Sequence, residues 1–122
     1  MPIVDVHWVL SPETSLPEGA ATRLADAIGE ALGTEAGHLW LRLHPVPATQ
    51  YAENGVPGAS TPLPVFVTVL HGWLGSQTEL EAEAQALAKA VAATLALDKS
   101  RVHIEYAPAG AGRMAFGGRL IH

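Results

Sequence analysis

A chain of 122 residues with 48% hydrophobic and only 16% charged side chains has enough length for one core and too much apolar content for disorder. Its formal charge of −5 gives no basic stripe for nucleic acid or an anionic membrane surface, and the absence of cysteine removes disulfide, thiolate and cysteine-based metal chemistry. No run approaches the ~18 apolar residues of a membrane span and no charged leader precedes an apolar segment, so the expectation is a soluble, cytoplasmic protein.

Ile3 to Leu10 is an apolar, β-branched run broken only by Asp5 and His7, which reads as a strand buried on both faces or nearly so. Ahead of it stands Met1-Pro2. Removal of Met1 would place a secondary amine at the head of that strand, and a buried amine near neutrality is a base. The alternative is a proline whose missing N–H costs nothing at the first strand position. After a loop through Gly19, Leu24, Ala27, Ile28, Ala31 and Leu32 follow helical spacing, with Gly33 able to close the helix. Leu39, Leu41 and Leu43 alternate with Trp40, Arg42 and His44 in a second strand, ended by Pro45-Val46-Pro47.

Residues 48–64, with Tyr51, Asn54-Gly55, Pro57-Gly58 and Pro62, form a turn-rich connector. Val65 to Leu70 is a third strand, and Thr78 is placed to cap a helix running to about Leu97, with Glu79, Glu81 and Glu83 in its first turns. Val102, Ile104 and Tyr106 alternate in a fourth strand. Pro108 to Gly112 bends the chain, and residues 112–122, with Gly117-Gly118 inside, form a terminal hairpin. The order strand, helix, strand therefore occurs twice, over 2–47 and 64–108, within one domain spanning 1–122. Right-handed crossovers make an α+β fold, a four-stranded sheet with both helices on one face, whose other face is expected to be apolar and hidden by oligomerisation.

With Pro2, the duplicated unit, Val65-Phe66-Val67-Thr68-Val69-Leu70-His71-Gly72 and the closing segment Arg113-Met114-Ala115-Phe116-Gly117-Gly118, the chain resembles the tautomerase superfamily. Its second half is similar to 4-oxalocrotonate tautomerase, and the fused pair is similar to macrophage migration inhibitory factor and its longer relatives. The resemblance implies a cofactor-free homotrimer in which Pro2 is the general base on a small enol or 2-oxo acid. It also implies that each terminal hairpin reaches toward a neighbour. The segment His71 to Gly75 has no cation where dehalogenase-like members carry arginines, and Ala115 stands where the hydrolytic branch has a carboxylate, which ranks hydration below tautomerisation.

Such chemistry needs a base, a donor for the developing enolate oxygen and a cation for a carboxylate. Pro2 is the base. Arg113 is the first choice of cation, ahead of Arg42 and Arg119, because it lies between a glycine stretch and the apolar Met114 and Phe116. Each of these arginines also fits a solvated surface position. Tyr106 is the candidate donor, or else a core tyrosine. Phe116 and Met114 would line the cleft, with Trp8 in the core. The six histidines show no ligand spacing, so no metal is expected, and a small carboxylate is the expected partner. Two alternatives stay open: a non-catalytic trimeric binding or scaffold member, and a decarboxylase or hydratase-like member.

Overall fold

The computed structural model of the chain describes residues 2–56 and 62–122; Met1 and the Pro57-Gly58 turn lie outside them. Four strands, β1 (Ile3–Leu10), β2 (Trp40–Pro47), β3 (Val65–Leu70) and β4 (Val102–Tyr106), form one sheet in the order β2-β1-β3-β4. β1 runs parallel to β2 and β3 parallel to β4, while β1 and β3 meet antiparallel. The helices α1 (Ala20–Leu32) and α2 (Gln77–Leu95) are the two crossovers. They bury one face of the sheet: Val4, Val6, Val65, Val67 and Val69 are wholly inaccessible beneath Leu24, Ile28, Leu87 and Val91. Alternating strands over amphipathic helices thus give the expected α+β sheet with both helices on one face.

The two β-α-β units are related by an offset of 63 residues, which takes Leu24 to Leu87 and Leu41 to Ile104. The same offset exchanges the rung Val4↔Val69 with the rung Val6↔Val67, so the middle of the sheet has an approximate twofold axis. Both helices end at matching positions, Gly33 and Ala96, each with left-handed backbone (φ 69 and φ 56). Their starts differ. α2 begins earlier in its unit than α1 and is capped by Ser76, not Thr78: the Ser76 side chain accepts from the Glu79 N–H while the Glu79 carboxylate accepts from the Ser76 N–H. The helix also stops at Leu95, short of Leu97.

β2 continues through Pro45 to Pro47, where a strand end was expected. It lies at a sheet edge, where a proline's missing N–H needs no ladder partner. The terminal hairpin pairs β5 (Ala115–Phe116) with β6 (Arg119–Leu120) around Gly117-Gly118, both at positive φ.

The sheet face away from the helices is not the apolar surface expected of it. Its rungs read Trp40–Ile3–Leu70, then Arg42–Asp5–Thr68–Glu105, then His44–His7–Phe66–His103. Arg42 grips Asp5 with two parallel hydrogen bonds of 2.8 Å, and the His44 ring nitrogen Nε2 lies 2.8 Å from the same carboxylate. His7 stacks on His44 at 4.5 Å. β1 is therefore alternately buried from Ile3 to His7, with its second face half-exposed in the single chain.

Candidate active site

Pro2 is buried at the head of β1, an inner strand, and its carbonyl accepts from the Trp40 N–H at 3.2 Å. The antiparallel pairing ends at Ile3 and Leu70, so its register carried one residue further brings Pro2 opposite His71, each just outside its strand. The chain returns to this end of the sheet after β4. Gly110 N–H and Ala111 N–H donate to the carbonyls of His71 and Gly72, which ties the terminal segment to the loop after β3.

That return path borders an open cavity of ≈ 540 Å³ lined by Leu70, Ala107, Pro108, Gly110, Arg113 and Met114. A Cβ on Gly110 would lie 2.2 Å from the Met114 sulfur, so a larger residue there would have to displace the Met114 side chain. Met114 is buried and forms the apolar floor. The Arg113 guanidinium, the cation among the lining residues, donates through Nη2 to the Ala109 carbonyl. Phe116 stacks on Trp40 of its own chain, centroids 4.6 Å apart, so within the protomer the hairpin folds back over its own sheet.

Tyr106 and Arg42 occupy opposite faces of the sheet. Tyr106 faces α2 and donates to the Glu83 carboxylate at 2.6 Å, and the same oxygen lies 2.9 Å from His71 Nε2. Burial first, and the Glu83 carboxylate second, push the Tyr106 phenol well above its ordinary range. Arg42 is committed to Asp5, whose carboxyl it holds below the usual range against the opposing push of burial, with His44 lowering it further. Arg119 is exposed on β6. Of the sequence-derived candidates, Arg113 and Met114 line the cavity, Pro2 and Phe116 lie at the same end of the sheet outside its lining, and Tyr106 is tied to His71 through Glu83.

His71 and Glu83 were missed as site residues. The signal was in the repeat, because the offset of 63 aligns His71, Glu83 and Tyr106 with Trp8, Ala20 and Leu43. Tyr51 belongs to a different network, which supports its reading as connector: it donates to Glu53, whose carboxylate also takes a 2.9 Å bond from Arg101 Nη2. Arg101 Nε reaches the Pro62 carbonyl as well, so one guanidinium holds both described ends of the connector.

The family model described as macrophage migration inhibitory factor (MIF) matches residues 1–122. The chain belongs to the MIF family. Its tautomerase-superfamily fold is shared by solved structures of low identity. A fused 4-OT, wild type and a symmetric trimer, superposes with a TM-score of 0.71 at 21% identity, over 98% of this chain and 94% of that one. Pt0534 inactivated by 2-oxo-3-pentynoate gives 0.75 at 19%, over 98% and 94%. The migration inhibitory factor of Oncomelania hupensis gives 0.72 at 21%, over 99% and 82%. A comparison with curated proteins finds no match. Among the described residues, no helix of this MIF-family chain is long and apolar enough to cross a membrane.

Proposed function

We propose that this MIF-family chain, once Met1 is removed, is a cofactor-free keto-enol tautomerase acting on a small enol or 2-oxo acid. The observation that carries the reading is the buried position of Pro2 at the same sheet end as an apolar cavity with a guanidinium in its wall. Desolvation and a nearby cation both disfavour the protonated form of an amine. The neutral Pro2 nitrogen takes a proton from the carbon next to the carbonyl, the electron pair moves to oxygen, and Arg113 holds the carboxylate. Met114 and Phe116 keep water from the enolate. The fused 4-OT trimer of the same fold supports a homotrimer for this chain, and the sheet face carrying Phe66 and Trp40, both more than a third exposed, is the surface it would cover.

The test is turnover of phenylenolpyruvate by protein whose mass shows Met1 removed, compared with Pro2→Ala. A loss of about 10²-fold or more in kcat is expected. Equal rates would refute the role of Pro2. One observation favours the rival reading, a non-catalytic trimeric binding module: Arg42, a possible second cation, is already satisfied by Asp5. That rival predicts a trimer in sedimentation with no turnover in either protein. A decarboxylase or hydratase role has the fold of FG41 malonate semialdehyde decarboxylase in its favour, with a TM-score of 0.68 at 15% identity.

A further inference from the structure

His71, Glu83 and Tyr106 come from three separate elements, the end of β3, the second turn of α2 and the end of β4, and meet on one carboxylate oxygen. The bonds are 2.9 and 2.6 Å, and the His71 and Tyr106 rings lie nearly parallel, 19° apart. The His71 side chain is only 17% exposed and that of Glu83 25%. These partly buried groups satisfy one another through a single oxygen, and the related end of the sheet is built without them. At the related end of the molecule the same three positions hold Trp8, Ala20 and Leu43, which are in the apolar core or packed against it. There β1 ends beside the start of β3, Trp8 opposite Val65, and the offset of 63 carries that rung onto the register positions of His71 and Pro2. The polar trio is thus present at the end that carries the proline and replaced by hydrocarbon at the end that does not.

Resting on the tautomerase reading of Pro2, we propose that His71 is the second proton-transfer group of the site, the partner that serves the substrate oxygen while Pro2 serves the carbon. Glu83 and Tyr106 are positioning residues. The Glu83 carboxylate accepts from His71 Nε2–H and from the Tyr106 hydroxyl, which fixes the ring and leaves Nδ1, without a hydrogen bond among the described residues, to exchange the proton. In the ketone-to-enol direction the neutral Pro2 nitrogen removes the proton from carbon and the imidazolium Nδ1–H gives its proton to the carbonyl oxygen. The site is left with a protonated Pro2 and a neutral imidazole. The reverse direction runs the same two transfers backwards, and solvent returns the site to its starting protonation between turnovers. The titratable groups packed against His71 are Glu83 from α2 and Tyr106 from β4; Pro2 holds the register position opposite it, and the segment bonded to its backbone through Gly110 carries Arg113.

The test compares pH profiles of kcat and KM for phenylenolpyruvate in the trimmed wild type, His71→Gln, Glu83→Gln and Pro2→Ala, with circular dichroism confirming the fold of each. The expected result for His71→Gln is a kcat about 10²-fold lower and the loss of one limb of the profile, with KM changed no more than about threefold. Glu83→Gln retains that limb but lowers kcat, because the imidazole is still present and has lost the carboxylate that orients it. If Pro2→Ala is inactive while His71→Gln keeps the wild-type kcat and both limbs, this proposal is overturned and the role of Pro2 stands. If Pro2→Ala matches the wild type, or the wild type itself has no turnover, both fall together. If His71→Gln proves unfolded, an Glu83→Gln profile identical to the wild type overturns the proposal on its own.

Discussion

The two ends of the central antiparallel pair have the same backbone and opposite chemistry. At one end Trp8, Ala20 and Leu43 close the core with hydrocarbon; at the other His71, Glu83 and Tyr106 close it with a hydrogen-bonded carboxylate. The helices show how this was arranged. α1 starts at Ala20, whereas α2 extends further toward its N-terminus, so the position matching a helix's first residue becomes an interior one, able to hold a side chain against β4. The lesson is that one end of the duplicated unit closes without these polar groups, an asymmetry that the proposed role of His71 accounts for.

The largest effect should come from forcing one end to imitate the other. Ala20 is 2% exposed, and Ala20→Glu places a carboxylate in the core cluster without the histidine and tyrosine that hold Glu83. Its expected cost is about 3–5 kcal/mol by urea denaturation, in the range measured when a buried charge loses its partner. Adding Trp8→His and Leu43→Tyr supplies the donors, so the triple variant should be more stable than the sum of its single changes by about 1–3 kcal/mol. An Ala20→Glu protein as stable as the wild type would mean that either end accepts the charge and that its location carries no information.

The helix ends offer a finer comparison. Gly33 and Ala96 are equivalent positions with the same left-handed backbone, and alanine pays there a steric cost that glycine does not. A Cβ on Gly33 would meet nothing within 4 Å, so the cost of Gly33→Ala is conformational alone. Gly33→Ala should destabilise, and Ala96→Gly stabilise, by about 1 kcal/mol each. Thermal melts of the two variants shifting in the same direction would break the equivalence of the two units.

The sequence made this architecture legible because its strands alternate and its helices keep one apolar face. What it left ambiguous has physical causes. Ser76 with Glu79 and Thr78 with Glu81 both fit the reciprocal capping pattern, and the chain takes the earlier one, with the longer helix. Asp5, His7, Arg42 and His44 were visible as polar interruptions, but only strand register reveals that they share a face and neutralise one another. For the same reason Arg42 looked available as a substrate cation. Pro2 and Arg113 could be singled out from residue type and neighbours, whereas His71 looked like one of six scattered histidines until the fold placed Glu83 and Tyr106 against it.

The smallest expected effect concerns the sheet's open face, where one unit pairs Asp5 with Arg42 and the other pairs Thr68 with Glu105 at 3.2 Å. Asp5 is held below its ordinary value chiefly by Arg42, so it binds a proton less readily in the folded chain than in the unfolded one, where it titrates near ~3.9. Its contribution to stability is therefore complete above that value and is lost as the pH falls through the lower, folded one. Asp5→Asn should make the acid limb of the stability curve shallower while leaving its shape near neutrality. Glu79 and Asp98, lowered by their bonds to Ser76 and Ser100, keep part of that limb in the variant. Because Arg42 remains largely in water, the change is small and should shrink further in high salt. An acid limb identical in Asp5→Asn and wild type, measured by urea denaturation between about pH 2 and 5, would show that the Arg42 pairing carries no stability and that the two units treat this rung alike.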